Sequence, residues 1–212
     1  EQHRFGVEQR AALAGDRAPH RLHMTATPIP RTLAFTVYGD LAVSEIDRPP
    51  AGRQPVITRW VSHERSSEAY TRLHRHLEAG RQAYVVCPLV SPSEAIEARA
   101  AEAEAARLRD AELAGFRVGC LHGQLRPVER RSVMNAFARG EIDVLVATTV
   151  IEVGVDVPNA TIMIVQEADR FGLAQLHQFR GRVGRGTDQS YCLLLADSPS
   201  LDEDGDGFSN AD

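Results

Sequence analysis

Five short apolar runs, spaced by stretches of helical character, constrain this chain more than any other feature. They are Gln82–Val90, Phe116–Leu121, Ile142–Thr149, Thr161–Gln166 and Ser190–Ala196. Each has the length of a strand and is rich in β-branched or bulky residues. The runs are nearly continuous rather than alternating in polarity, which is the pattern of strands buried on both faces. Such a sheet needs helices above and below it. The sequence offers them at Glu64–Ala79, Glu94–Ala114, Pro127–Arg139 and Leu173–Arg180. The third opens on a proline, whose fixed φ suits a first helical position. Strand–helix alternation predicts an α/β fold with a mostly parallel sheet flanked by helices. Val56–Val61 is a candidate further strand.

The segment Arg48–Pro55 reads as a linker, because its prolines and glycine stop regular structure and nothing in it can anchor a core. The division predicted is residues 1–50, a linker at 51–55, a main domain at 56–197 and a tail at 198–212. Within the first part, Arg21–Ala26 suggests one buried strand and Arg31–Tyr38 a helix. Fifty residues with one core strand cannot close a core, so this part is expected to be the end of a domain that begins upstream. The tail carries Asp202, Glu203, Asp204, Asp206 and Asp212 without a base. It matches a calcium loop in part, but the acid expected at its twelfth position would be residue 213, and a disordered acidic tail is the preferred reading.

The net charge of −5 would argue against nucleic acid if it were spread evenly. Without the tail, 24 acids face 24 arginines, so the distribution matters more than the total. No apolar run approaches the roughly 20 residues needed to cross a bilayer. No signal-peptide pattern opens the chain. Cys87, Cys120 and Cys192 each lie in apolar surroundings and read as buried, reduced thiols of a cytoplasmic protein. The chain contains no lysine. A phosphate-cradling loop of the Walker type requires one, so this chain lacks a complete site of that kind.

The segment from Gln178 to Gly186, QFRGRVGRG, sets Arg180, Arg182 and Arg185 among three glycines, with no acid between Asp169 and Asp188. Glycine lets backbone approach a ligand closely, and arginine presents a fixed fork of donors. That combination suits a polyphosphate better than an apolar core. Leu121-His122-Gly123-Gln124 lies between a strand and a helix, where backbone N–H groups can hold phosphate without reading bases.

In order and spacing these motifs resemble the second half of a superfamily 2 helicase motor, of the RecG family of bacterial ATP-dependent DNA helicases. The resemblance runs from Glu1 to about Asp197. It implies a RecA-like second lobe, preceded by the remnant of a first. Glu1-Gln2-His3-Arg4-Phe5-Gly6 is similar to the family's DEQHRFG without its leading Asp. Glu1 would then be the general base for the attacking water, and the metal ligands would lie largely outside this chain. Met24-Thr25-Ala26-Thr27-Pro28-Ile29-Pro30-Arg31 resembles motif III, with Thr25 and Thr27 coupling the nucleotide and DNA sites. His122 and Gly123 would contact the DNA backbone. The run from Ala147 to Pro158 resembles motif V, with Thr148 and Thr149 on DNA and Gly154 and Asp156 on the nucleotide.

Gln178-x-x-Gly181-Arg182-x-Gly184-Arg185 resembles motif VI. Arg182 and Arg185 would be arginine fingers, Gln178 would help to position water or phosphate, and Arg180 would support the loop or DNA. The implied cofactors are ATP and Mg²⁺. The implied partners are branched or single-stranded DNA, a preceding RecA-like lobe and an N-terminal wedge domain, in a monomer without a membrane anchor. The activity implied is remodelling of stalled forks and Holliday junctions. Transcription-repair coupling factor shares the TPIPRTL and GLAQLHQxRGRVGRG strings and is the alternative. A non-catalytic module that holds DNA or a partner lobe is another.

Overall fold

The computed structural model describes residues 44, 46, 53–88, 94–148 and 156–197, with backbone alone at 94 and 95. The expected strand at Arg21–Ala26, the helix at Arg31–Tyr38 and the acidic tail lie outside the described residues, as do Glu1, Thr25, Thr27, Thr149 and Gly154. The chain divides into two units, Glu1–Arg48 and Pro49–Asp212. All that follows concerns the second.

Six strands form one sheet: β1 (Ile57–Val61), β2 (Gln82–Val86), β3 (Val118–Leu121), β4 (Val144–Ala147), β5 (Ala160–Val165) and β6 (Tyr191–Leu195). Their order is β1-β6-β5-β2-β4-β3, and every pairing is parallel. The register sets Tyr84 of β2 beside Leu145 of β4 and Met163 of β5. The helices are α1 (Ser66–Glu78), α2 (Glu94–Asp110), α3 (Pro127–Ala138) and α4 (Leu173–Arg180). The parallel α/β sheet expected from the sequence is therefore present, with Val56–Val61 supplying a strand at one edge.

The strand alternation splits the core into two layers, as a period of two requires. Tyr84, Val86, Leu145, Met163, Val165 and Leu194 face one layer, with Met134 and Phe137 of α3 and Leu176 and Phe179 of α4. Ala83, Val85, Val144, Val146, Ile162 and Ile164 face the other, with Tyr70 and Leu73 of α1 and Leu108 of α2. Residues on both faces of β2, β4 and β5 are buried, which explains why these runs read as continuous hydrophobic stretches.

Among the expected boundaries that move, two have a visible physical reason. α2 ends at Asp110 rather than Ala114, because the chain turns there: Leu113 N–H donates to Leu108 O at 2.7 Å and Leu113 is fully buried. β3 begins at Val118 rather than Phe116, because Arg117 turns to Asp143. The backbone N–H and the guanidinium of Arg117 both donate to that carboxylate, at 2.8 and 2.5–2.9 Å.

Two polar clusters inside the layers are tied down. Gln82 Nε2 donates to Phe137 O at 2.6 Å and Ile142 O at 2.7 Å, closing carbonyls at the end of α3. On the opposite layer, Gln166 donates to Glu104 at 2.7 Å and Tyr70 Oη at 2.9 Å, and Arg107 bridges Glu104 and Glu112. Burial pushes the Glu104 carboxyl up, but the bonds from Arg107 and Gln166 outweigh it and hold it below the usual range. The three cysteines are unpaired in disulfides. Burial pushes the Cys87 and Cys192 thiols up to about 12 and Cys120 up to about 11. No described helix is long and apolar enough to cross a membrane.

Candidate nucleotide and DNA site

The arginine–glycine run begins where α4 ends. Gly181 N–H donates to His177 O at 3.1 Å, Arg182 N–H to Phe179 O at 2.9 Å and Val183 N–H to Arg180 O at 3.3 Å. The backbone thus continues for nearly another turn and presents Arg182 and Arg185 on either side of Val183. Val183 is fully buried and fixes the loop to the core. Gln178, on α4, is half-buried.

Glycine is required at two points beyond this turn. Gly184 has φ +70°, and a Cβ there would lie 2.5 Å from Val56 Cγ2. A Cβ on Gly186 would lie 3.0 Å from Pro158 O. The second contact brings the loop against the segment that follows Asp156. Arg185 spans the gap. Its Nε donates to Gly181 O at 3.0 Å, and its Nη1 lies 3.3 Å from Asp156 Oδ1. The Arg185 side chain is 30% exposed and that of Asp156 57%, so the pair is fixed yet open to a ligand. From β2, the Tyr84 phenol faces the same charges. Burial pushes it up to about 12, with Arg182 and Arg185 pulling down and Asp156 pushing up. Motif V and motif VI are therefore brought together at Asp156 and Arg185.

A second group lies at the carboxyl ends of β3 and β4. Thr148 is buried and its N–H donates to Leu121 O at 3.2 Å, which ties the start of motif V to the His122 loop. His122 is also buried, with Nε2 3.1 Å from Glu102 Oε1 of α2. Gly123 is exposed, and its carbonyl accepts from Arg130 Nη2 at 3.0 Å. The imidazole thus faces α2, and the exposed part of the loop is at Gly123 and Gln124. A backbone contact to phosphate suits this arrangement better than a histidine side-chain contact.

Two participants, Arg53 and Gln189, escaped the sequence reading, and Tyr84 lies in the core. Arg53 Nε donates to Gly184 O at 2.6 Å. Gln189 Nε2 donates to Pro55 O at 2.7 Å. Proline and glycine around Arg53 signal a linker, and Tyr84 sits in an unremarkable apolar run. No local pattern could have linked either to the arginine loop.

Comparison with known proteins places the chain. The family model described as helicase conserved C-terminal domain matches residues 67–187. The chain is 51% identical over 95% of its length to the ATP-dependent DNA helicase RecG of Synechocystis sp.. It is 54% identical over 94% of its length to RecG of Escherichia coli strain K12. It spans 24% of the first relative and 29% of the second. A solved structure of RecG bound to a three-way DNA junction matches 81% of this chain and 22% of that chain, at 45% identity and TM-score 0.68. A Saccharomyces cerevisiae Dbp5 structure with RNA and ADP BeF3 covers 82% of this chain and 44% of its own, at 17% identity and TM-score 0.55, and shares the fold. The sheet is that of a RecA-like helicase C-terminal lobe. The chain belongs to the helicase conserved C-terminal domain family and is similar, within it, to RecG.

Proposed function

We propose that this chain is the finger-bearing motor lobe of an ATP-dependent DNA helicase that remodels branched DNA, including stalled forks and Holliday junctions. The observation that carries the reading is the Arg185–Asp156 contact, which joins two separate motifs at one solvent-exposed edge. Identity of 51% and 54% to RecG proteins supports the RecG type over the transcription-repair coupling factor. In this reading residues 1–50 end the first RecA-like lobe, 56–197 form the second and 198–212 are an acidic tail. The cofactor is ATP with Mg²⁺. That edge fits the outer phosphates of such a ligand, since it offers guanidinium donors on backbone that glycine allows to come close.

Arg182 and Arg185 stabilise the charge that develops on the outer phosphate oxygens as the bond to the leaving diphosphate breaks. Asp156 holds Arg185 at that edge and meets the nucleotide ribose, beside Gly154. Gln178 orients water or phosphate from α4, and Glu1 serves as base. His122, Gly123, Thr148 and Thr149 form the DNA-backbone side, with His122 acting through its grip on Glu102. Thr25 and Thr27 couple the two sides. The protein acts as a monomer in the cytoplasm.

The test uses the full-length protein. Arg182→Ala and Arg185→Ala should each lower DNA-stimulated ATP turnover by roughly 10³–10⁵ while DNA binding persists. Turnover of the double variant within a fewfold of the parent sinks the finger assignment. This chain alone, which has no lysine for a Walker loop, should not turn over ATP. Sustained hydrolysis by it would contradict the two-lobe reading.

A further inference from the structure

We infer that Arg53 is a positioning residue for the arginine loop. With Val56 and Gln189, it latches the segment leading into β1 onto Gly184, the residue directly before Arg185. The inference rests on the finger reading above and adds a residue that the motifs do not contain.

Four contacts carry it. Arg53 Nε donates to Gly184 O at 2.6 Å. Gln189 Nε2 donates to Pro55 O at 2.7 Å. Ile57 N–H donates to Ser190 O at 3.0 Å, so the first ladder bond of β1 continues the latch. Val56 Cγ2 lies against Gly184, where a Cβ would come within 2.5 Å of it. The segment 53–57 is therefore fastened along 184–190 at both ends and in the middle. Gly184 is the residue directly before Arg185, so the bond from Arg53 holds the backbone next to the finger.

The physical consequence is positional. Arg185 is held from one side by Gly181 O and Asp156, at 3.0 and 3.3 Å. Those contacts fix the guanidinium only if the backbone that bears it is itself fixed. Arg53 supplies a charge-assisted bond to that backbone from a strand-entry segment far away in sequence. A shift of the segment 53–57 would pull on Gly184 and move Arg185 out of its place at the exposed edge. Misplacement by about 1 Å can cost as much as about 100-fold in rate. Arg53 is thus also the point at which tension on the residues before β1 would reach the finger.

The test takes Arg53→Ala, Arg53→Lys, Arg185→Ala and the Arg53→Ala/Arg185→Ala pair in the full-length protein. Arg53→Ala should lower kcat for DNA-stimulated ATP hydrolysis about 10- to 100-fold, with KM for ATP nearly unchanged. Arg53→Lys, which keeps a cationic donor, should recover much of it. In the Arg185→Ala background, Arg53→Ala should add no further loss, because it acts through that residue. Amide exchange at Gly184–Gln189 should quicken in Arg53→Ala while the sheet stays protected. Normal kcat in Arg53→Ala beside a crippled Arg185→Ala overturns the latch and leaves the finger standing. Losses that multiply in the pair also overturn it. Normal kcat in Arg185→Ala brings down the finger reading itself, and the latch with it.

Discussion

At the residue scale, Gly184 has the least room for a side chain among the described glycines. Its φ of +70° is a conformation that a side chain adopts at a cost of about 1–2 kcal/mol, and Val56 already occupies the space a Cβ would need. Gly184→Ala should therefore destabilise by more than the conformational cost alone, read as a lower denaturant midpoint. Gly184→Ala unfolding like the parent would mean that Val56 and the loop move apart freely. The thiols make a second residue-scale prediction. Burial drives Cys87 and Cys192 up to about 12, so neither supplies thiolate at pH 8. The folded chain should resist alkylation there until denaturant is added. Rapid labelling of Cys192 in the native state would contradict its buried place in β6. Arginines among glycines pointed to phosphate-binding chemistry from composition and spacing alone, the reading proposed above. The partner that fixes Arg185, the Asp156 carboxylate, was assigned from resemblance to the nucleotide, and its ion pair was visible only in three dimensions.

At the element scale, α3 depends on β2. Gln82 is buried, and its amide closes the carbonyls of Phe137 and Ile142 on either side of the turn after α3. Gln82→Leu keeps the bulk but takes the side-chain donor from both carbonyls; Phe137 O keeps the bond from Gly140 N–H, and Ile142 O loses the Gln82 bond, at a cost of about 1–3 kcal/mol for a buried group left without its partner. Equilibrium unfolding would measure it, and a neutral result would mean that water reaches the turn. α3, α4 and the strands were recognisable because their apolar spacing is local. The ends of α2 and β3 were not. Leu113 leaves the helical path to reach the core, and Arg117 leaves the strand to bond Asp143. Neither choice is encoded in the residues' own propensities.

At the scale of the whole molecule, acid is the expected route to unfolding. Asp143 is held below the ordinary carboxylate range first by the side-chain bond from Arg117, against a smaller burial effect that raises it. Glu104 is pushed up by burial but held lower on balance by Arg107 and Gln166. A folded pKa below the unfolded one adds stability above the unfolded value, about 4, and that stability disappears as pH falls through the folded value. The contribution of these two carboxylates should therefore be level near neutrality and fall below about pH 4. Asp143→Asn should be less stable than the parent at pH 7 and show a shallower fall in acid. An unchanged acid slope would remove Asp143 from the linkage. These two carboxylates tie separate layers: Asp143 joins the β3 and β4 entries, and Glu104 joins α2 to the end of β5. Their titration should consequently register in the cooperative transition rather than in local fraying.

The sequence by itself determined the class of fold, because strands buried on both faces and amphipathic helices are written in the spacing of neighbouring residues. It also determined the chemistry on offer: arginine forks on glycine backbone, and no lysine for a Walker loop. Only the tertiary structure decided the strand order, the meeting of Asp156 with Arg185, the turn of His122 towards Glu102 and the bond from Arg53 to Gly184, residues 131 apart in the chain. Parallel strands are joined by crossovers, so the neighbours of a loop are set by where each crossover returns. That return depends on the packing of the entire sheet, which no short window of sequence contains.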